Sequence, residues 1–434
     1  MTSRFKLFND PVHGFVSVPK GLVLELIETP EFQRLRRIRQ LGLGFLVFPG
    51  AVHTRFEHAL GAMALMQEAL GTLRDKGTVM TTDEIEGALI AALLHDVGHG
   101  PFSHTLERDL IAPGADGSHH HEHMSRAIMR RLDARFGGAL ATALAIFDGA
   151  HERPFFHALL SSQLDMDRLD YLRRDSFYTG VAEGVVGVER ILKTMRVHPG
   201  AGGADAQIVI EAKGAYAVEN YLLSRRLMYW QVYLHKTVIA ADHLLRAAYT
   251  RARAVCRATG APPEGTAPAL AFFLSGRVTG DDVARDDVLD AFCALDDTDV
   301  LYSLKRWRAA PDRILADLAR RFLDRDLFRT TYLPALASEA QLEVWRAHVA
   351  EALVRDGLSA PEDALADAAY YVAPGASRLD AYRPRGRAIC VLDRDGRLRE
   401  LSKASDTAAV DALAAPVIKP YVCTPRTLDP AALS

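Results

Sequence analysis

The 434-residue chain has few cysteines, almost no net charge and no long apolar run near its start. Its four cysteines stand far apart without a CxxC pair, which disfavours both a disulfide framework and a thiolate zinc site. Lysine and arginine number 52 against 55 acidic residues, so the net charge of −3 provides no broad attraction to nucleic acid or anionic lipid. The first residues lack the apolar segment of a secretory signal. We therefore expect a cytoplasmic protein without a membrane span.

The hydropathy pattern is typical of a globular protein that is built mainly from helices. Apolar residues make up 49% and charged residues 25% of the chain. Apolar spacing predicts a short N-terminal hairpin over 6–18 and a second hairpin around an Asp-Gly turn at 395–396. Helical periodicity covers 20–42, with a break near Thr29-Pro30, and also 56–75, 83–97, 121–136, 155–175, 184–196, 215–257 and about 268–325. The sequence thus predicts a mainly α fold, with a helical core over 1–327 and a small α+β subdomain over 328–434.

Most of the 16 histidines lie in the first half of the chain, several of them beside carboxylates. An apolar helix that runs to Leu94 ends in the pair His95-Asp96, and a buried imidazole or carboxylate is costly unless it is paired or metal-bound. His58 and Asp167 lie in two other apolar helices. Two imidazoles with two carboxylates suit a divalent first-row metal with open positions. The alternative is a histidine that merely neutralises a helix C-terminus.

At this point the chain resembles a known family, the HD-domain metal-dependent phosphohydrolases. It is most similar to the deoxynucleoside-triphosphate triphosphohydrolases, including the vertebrate enzyme with an added SAM domain. The sequence segments that match this family lie at 8–14, 29–36, 48–51, 55–58, 95–104 and 167–171. Because the similarity starts at about residue 6, we expect no SAM domain here. The resemblance implies an HD-domain helical fold and a divalent metal, such as Mn, Fe, Ni, Mg or Zn. The implied metal ligands are His58, His95, Asp96 and Asp167.

The resemblance also implies catalytic and substrate-binding roles. His99, His104 and His121 would face the α-phosphate, with Glu107 and Glu122 orienting them, since an imidazole held by a carboxylate is a competent general acid. Guanidinium groups match phosphate oxygens, and a tyrosine ring packed against C2′ would exclude a ribose hydroxyl. The family usually has lysine at the position of Arg168. The implied substrate-binding residues are Gln40, Leu41, Arg55, Arg168, Tyr171, Asp175, Arg225 and Tyr233.

A second nucleotide site is implied at a subunit interface, where an activating dGTP or GTP would bind. Its residues would be Asn9, Glu28, Gln33 and Arg36, in a homo-oligomer that is a dimer or a tetramer. Four purely structural alternatives stand beside these roles. The effector residues could be an exposed charged helix face, His121 could belong to a solvated polar loop over 118–123, and Arg225 could be a salt-bridged helix residue. Tyr171 and Tyr233 could be ordinary helix packing.

The implied activity is hydrolysis of a deoxynucleoside triphosphate to a deoxynucleoside and inorganic triphosphate. A second enzymatic hypothesis is an HD phosphohydrolase that acts on a nucleoside monophosphate, a cyclic nucleotide or a guanosine alarmone. The shared metal site does not separate these two. A third hypothesis, of another class, is a nucleotide-sensing or nucleic-acid-binding regulator that uses the basic segment 34–39. The net charge of −3 argues against broad nucleic-acid binding.

Overall fold

The computed structural model describes residues 4–114, 121–199, 206–276, 278–384, 386 and 388–430. The fold is mainly helical, as the sequence predicts, with short sheets at either end of the chain. The described helices are α1 Leu22–Ile27, α2 Pro30–Gln33, α3 Arg55–Asp75, α4 Thr82–Leu94, α5 Glu107–Leu110, α6 His121–Arg135, α7 Ala141–Phe147, α8 Phe155–Leu160, α9 Met166–Thr179, α10 Val188–Thr194, α11 Ala215–Met228, α12 Lys236–Thr259, α13 Pro268–Ser275, α14 Asp286–Ala294, α15 Asp297–Trp307, α16 Arg313–Leu323, α17 Glu339–Arg355, α18 Ala364–Ala368, α19 Leu401–Ala404 and α20 Ala409–Leu413. The described strands are β1 Phe5–Asp10, β2 Gly14–Pro19, β3 Met195–His198, β4 Gln207–Glu211, β5 Arg329–Tyr332, β6 Ala373–Leu379, β7 Cys390–Leu392, β8 Leu398–Glu400 and β9 Val417–Thr424.

Three helices of the core converge on the predicted metal ligands. Helix α4 is apolar on every side and is buried from Gly87 to Leu94, so only its termini are available for polar chemistry. Helix α3 packs against both α4 and α9. A capping box between Thr54 and Glu57 fixes the start of α3, one turn before His58. Packing therefore brings the N-terminal turns of α3 and α9 to the C-terminal end of α4.

The N-terminal hairpin is confirmed and lies over this helical core. Strands β1 and β2 pair antiparallel, with Asn9 opposite Phe15. Val16 and Val18 are buried on the inner face, whereas Leu7 and Phe15 are exposed on the outer face. The period-2 alternation thus sets which face of the hairpin packs against the core.

The C-terminal part of the chain adds strand β7 to a strand of the core and forms a second sheet of its own. β7 lies parallel to β4 and antiparallel to β8, which confirms the predicted hairpin at the Asp-Gly turn. β9 pairs antiparallel with β5 and with β6. The proposed division at residue 328 remains a prediction; the pairing of β4 with β7 crosses it, whereas β5, β6 and β9 all lie after it.

Several predicted helices are shorter or interrupted in the structure. The predicted break near Thr29-Pro30 is confirmed, since Thr29 caps a new helix that starts at Pro30, and the rest of 20–42 forms α1, α2 and a 3₁₀ turn at Arg34–Arg37. The helix over 155–175 is split, since the Asp165 side chain caps the N-terminus of α9. The helix over 215–257 contains a π-helical turn at Tyr229–Tyr233 between α11 and α12. The region 268–325 forms four helices, α13 to α16. Within the described ranges, no helix has both the length and the apolar composition that crossing a bilayer requires.

Candidate functional site

The four predicted metal ligands lie together at the junction of α3, α4 and α9. The Nε2 atom of His58 is 3.1 Å from Asp167 Oδ1 and 3.3 Å from Asp96 Oδ2. The Nε2 atom of His95 is 3.5 Å from a carboxylate oxygen of each of the same two aspartates. Ligand atoms bound to one ion at about 2.1 Å are separated by roughly 3.0–3.5 Å at tetrahedral or octahedral angles. These spacings fit the first coordination shell of a divalent metal.

Hydrogen bonds fix both imidazoles in the tautomer that a metal ligand needs. His58 Nδ1 lies 2.7 Å from Asp170 Oδ2, and His95 Nδ1 lies 2.8 Å from the Ala92 carbonyl oxygen. Each Nδ1–H must donate to its oxygen acceptor, which leaves the lone pair of Nε2 facing the carboxylates. Both Nε2 atoms are buried without a hydrogen-bond partner. A buried nitrogen of this kind is costly unless a cation accepts its lone pair, so these residues fit a bound metal.

Electrostatics keep the two aspartates of this set ionised. Burial raises the pKa of Asp96, but the charges of Arg55 and of His95 outweigh it and hold that pKa well below the ordinary value. Burial likewise opposes ionisation of Asp167, and the adjacent imidazoles of His58 and His95 lower its pKa. For His58 itself, burial lowers the pKa, and hydrogen bonds with the surrounding carboxylates raise it well above the ordinary value. A bound metal ion would take the place of the proton between His58 Nε2 and the two carboxylates.

Beside the metal ligands, His99, His104 and His121 form a second cluster of imidazoles. The rings of His99 and His121 stack at 3.8 Å with 17° between their planes, and His104 approaches both edge-on. One ligand nitrogen from each of the three rings lies within 4.8 Å of the others, close enough for the three to share a cation. Glu107 lies 2.9 Å from His104 Nδ1 and 3.2 Å from His121 Nδ1. Hydrogen bonds with these two histidines outweigh burial and lower the pKa of Glu107, which therefore serves as their shared acceptor.

The loop between His99 and His104 has a strained conformation that its neighbours hold in place. Phe102 and Ser103 have φ angles of 54° and 58°, in the left-handed region that side chains rarely adopt. Asp297 accepts a hydrogen bond of 2.7 Å from the Phe102 amide, and the Ser103 hydroxyl accepts one of 2.9 Å from Arg55 Nε. The next helix begins only at Glu107. The conformation of this turn therefore sets the direction of the His104 side chain.

Most of the predicted site residues line a single cavity of about 590 Å³. Those that line it are Gln40, Leu41, Arg55, Asp96, His99, His104, His121, Glu122, Asp167, Arg168, Tyr171, Asp175 and Tyr233. His58, His95 and Glu107 lie directly behind this wall, in contact with lining residues. Residues from segments more than a hundred positions apart thus share one enclosed space. His121 and Glu122 are part of this wall, while residues 118–120 of the same polar run lie outside the described residues.

One wall of the cavity is aromatic. The rings of Tyr171 and Tyr233 meet edge to face at 5.8 Å. The Tyr233 hydroxyl donates a 2.8 Å hydrogen bond to Asp175 Oδ2, and His53 Nε2 lies 2.7 Å from Asp175 Oδ1. Tyr233 reaches this position because the π-helical turn before α12 rotates its side chain toward the cavity. The pairing fixes the Asp175 carboxylate from two sides.

The far wall is polar and was not predicted. Asp242 and His243 on α12 and Tyr421 on β9 all line the cavity. Burial raises the pKa of Asp242 to about 6, against the opposing effects of the Thr105 hydroxyl and of Arg246. Burial and the Arg246 charge lower the pKa of His243 to about 4, and its Nε2 lies 3.0 Å from the Tyr421 hydroxyl. The C-terminal strand therefore contributes directly to this cavity.

Arg225 is the one predicted substrate-binding residue that is not part of the cavity lining. Its Nη1 donates a 2.8 Å hydrogen bond to the Ala381 carbonyl, and its guanidinium lies 5.4 Å from the centre of the Tyr229 ring. Its Nε atom is buried without a partner. Arg225 is thus held behind the aromatic wall, against the C-terminal part of the chain, and its role toward substrate stays a prediction.

The predicted effector residues lie around the N-terminal hairpin, outside the cavity lining. Asn9 is exposed on β1, and Glu28 pairs at 3.5 Å with Lys6 of the same strand. Arg36 Nε donates a 2.8 Å hydrogen bond to Gln33 Oε1. An effector role for this surface stays a prediction.

Sequence reasoning assigned no role to several residues that hold the site. Asp170 follows Asp167 by one helical turn, a spacing that could have indicated a carboxylate behind the metal ligands. Ser103 and Asp297 support the strained loop. No local sequence pattern predicts either role, because their hydrogen-bond partners are distant in sequence. Tyr421 comes from the end of the chain, where the sequence carries no motif.

Comparisons with known proteins agree with this geometry. Residues 55–175 match the HD domain, and residues 186–259 match the HD associated region. A crystal structure of a phosphohydrolase from Bacteroides thetaiotaomicron has a TM-score of 0.88 and 39% identity, over 97% of this chain and 100% of that one. The uncharacterized protein YwfO of Bacillus subtilis is 34% identical, over 93% of this chain and 88% of its own length.

A relative with a named activity matches a smaller part of the chain. The deoxynucleoside triphosphate triphosphohydrolase SAMHD1 homolog of Dictyostelium discoideum is 31% identical over 261 residues. That match covers 57% of this chain and 49% of the relative, so it spans about half of the relative's length. The domain match, the two nearly full-length similarities and the His-Asp cluster agree with one another, and the chain belongs to the HD-domain family of phosphohydrolases.

Proposed function

We propose that the chain hydrolyses deoxynucleoside triphosphates to a deoxynucleoside and inorganic triphosphate, with a divalent metal held by His58, His95, Asp96 and Asp167. One observation carries the proposal. A single cavity of about 590 Å³ is lined by carboxylates of the metal set, by two anchored guanidinium groups and by a tyrosine–aspartate wall. These surfaces suit the phosphates and the sugar of a nucleotide.

The phosphate end of the cavity is cationic and rigid. Arg55 is buried and bonded to Asp96, and Arg168 is bonded to Asp165, so both guanidinium groups are held in place before substrate arrives. Guanidinium N–H groups suit a triphosphate, whose several negative charges need clustered cations. A divalent ion at this end would polarise a phosphoryl oxygen and lower the pKa of a water molecule.

His104 is the best placed proton donor. It is exposed toward the cavity, and Glu107 holds its Nδ1, so Nε2 is free to deliver a proton. In the proposed reaction, water adds to the α-phosphorus and the bond from phosphorus to the 5′ oxygen breaks. The departing 5′ oxygen then takes a proton, which His104 is positioned to supply. Burial lowers the pKa of His99 well below its ordinary value, as do the Arg55 and His121 charges, which suits a neutral hydrogen-bonding role.

The sugar specificity is proposed to come from the aromatic wall. Tyr171 and Tyr233 meet at right angles and leave a flat surface against which C2′ of a deoxyribose would pack. Asp175, fixed by Tyr233 and His53, offers a carboxylate oxygen to the 3′-hydroxyl. A 2′-hydroxyl would have to displace one of these rings, which is the physical basis for excluding ribonucleotides.

Product analysis tests the proposal directly. Purified protein is incubated with Mn²⁺ and each of the four deoxynucleoside triphosphates, with and without added dGTP, and the products are separated by ion-exchange chromatography. We expect deoxynucleoside and intact triphosphate, no turnover of the matching ribonucleotides, and no turnover by His95→Ala. The exposed-site variant Asp356→Asn serves as a preparation control. Release of pyrophosphate or orthophosphate alone would refute the triphosphohydrolase proposal.

A further inference from the structure

A buried network connects the N-terminal hairpin to the metal ligand His58. Asp170 on α9 is fully buried and lies between His58 on one side and His13 on the other. Its Oδ2 is 2.7 Å from His58 Nδ1, and its Oδ1 is 2.6 Å from His13 Nε2. His13 belongs to the turn between β1 and β2. Only one carboxylate therefore separates the hairpin turn from an imidazole of the metal set.

Arg174 fixes the orientation of that carboxylate. Its Nε and Nη2 donate to the two oxygens of Asp170, at 2.8 and 3.0 Å. Its Nη1 donates at 2.8 Å to Asp10, the last residue of β1. The second oxygen of Asp10 accepts the amides of Val12 and His13, at 2.9 and 2.8 Å, so the same aspartate shapes the turn. Both ends of the hairpin turn are thus tied to Asp170.

Packing leaves Asp170 no alternative position. Gly61 lies one turn after His58 on α3, directly above the Asp170 carboxylate. A Cβ atom at Gly61 would collide with Asp170 Oδ1 and with Arg174 Nη2. The ion pair between Asp170 and Arg174 occupies the space that a side chain at Gly61 would need. A carboxylate paired with a guanidinium on both oxygens accepts hydrogen bonds only, so His58 must present its Nδ1–H to Asp170 and its Nε2 lone pair to the metal.

We propose that Asp170, clamped by Arg174 and by His13 of the hairpin turn, is a positioning residue that sets the tautomer and ring orientation of His58, and that it makes metal affinity depend on the conformation of the hairpin. The coupling is reciprocal, since a turn that strengthens metal binding must itself be stabilised when the metal binds. This inference rests on the metal centre proposed above and not on the identity of the substrate.

Metal binding to the full chain, measured without substrate, tests the inference. Metal-free protein is titrated with Mn²⁺ alone, and free Mn²⁺ is measured by electron paramagnetic resonance. We expect His13→Ala to weaken binding at least tenfold, because loss of a residue that orients a metal ligand costs 10- to 100-fold in affinity. His13→Gln, whose amide N–H can occupy the place of the imidazole N–H, should stay within about threefold of the wild type.

The matched control is Phe15→Ala, which removes a large side chain from the same hairpin. Phe15 is 72% exposed and makes no part of the network, so its affinity for Mn²⁺ should equal that of the wild type. Asp170→Asn should lose more affinity than His13→Ala. If that buried substitution prevents folding, as circular dichroism would show, the series at His13 decides the question.

Hydrogen exchange supplies a readout that does not depend on turnover. Mn²⁺ should slow exchange of the amides over residues 10–14 in the wild type and in Phe15→Ala, but not in His13→Ala. Equal Mn²⁺ affinity of folded His13→Ala and the wild type would overturn the inference while leaving the metal centre intact. Failure of the wild type to bind Mn²⁺ would overturn the metal centre as well. Absence of triphosphate among the products would concern the proposed activity alone.

Discussion

The carboxylate of Asp242 should make the stability of the protein depend on pH, and Asp242→Asn should remove that dependence. Burial raises the pKa of Asp242 from its ordinary value of 3.8 to about 6. The folded state therefore holds this proton more tightly than the unfolded state, and the group's contribution to stability is lost as the pH rises from about 4 through about 6. A pKa difference of this size corresponds to about 3 kcal/mol at neutral pH.

The asparagine variant is a clean test because it keeps the hydrogen bond that Asp242 accepts. The Thr105 hydroxyl donates at 2.7 Å to Oδ1 of Asp242, and an amide oxygen can accept the same bond. Urea unfolding of both proteins from pH 4 to pH 8 should show the variant gaining up to about 3 kcal/mol relative to the wild type as the pH rises. Asp356→Asn, which changes the net charge equally at an exposed site, should show no such trend. A stability difference that is the same at pH 4 and pH 8 would refute the reasoning.

Three further substitutions probe the packing and the cavity. Gly61→Ala should destabilise the protein by about 3–5 kcal/mol in thermal unfolding, because its Cβ would disrupt the buried Asp170 ion pair. The control Gly71→Ala, on the same helix, meets open space and should be neutral or slightly stabilising. His104→Ala should lower kcat by about 10²–10⁴-fold with little change in KM. A variant whose KM rises as much as its kcat falls would contradict a proton-donor role. Tyr233→Phe, which loses a hydrogen bond to a carboxylate, should raise KM about tenfold for a deoxynucleotide; an unchanged KM would place the sugar elsewhere.

Local patterns were sufficient for the type of most elements and insufficient for their ends. The hairpins at both ends of the chain were predicted because alternation and turn residues are short-range signals. The predicted helix over 83–97 ends at Leu94, since His95 contacts Asp167 of α9 and its carbonyl accepts a hydrogen bond from Ser125 of α6. The break within 155–175 follows from Asp165, whose side chain caps α9 and also binds Arg168. Contacts with other helices thus decided the end of α4, and a local cap decided the start of α9.

The metal ligands were accessible from the sequence for a physical reason. Polar residues at the ends of wholly apolar helices are costly to bury unless they are paired or bind a metal. Few partners other than a divalent metal satisfy two imidazoles and two carboxylates together. The order of the matching segments along the chain then indicated which family the sequence resembles. The supporting residues were not accessible in this way, because a side chain such as Ser103 or Asp297 gains its role only from a partner on a distant segment.

By itself the amino-acid sequence determined that this chain forms buried helices carrying histidine and aspartate at their ends, and which family those residues match. Only the tertiary structure decided that Nε2 of His58 and of His95 face two carboxylates, that Tyr421 from the last strand joins the cavity, and that Arg225 lies behind its wall. The reason is that helix identity depends on neighbours a few positions away. The direction of a side chain, its tautomer and its charge depend on groups that folding brings from a hundred or more positions away.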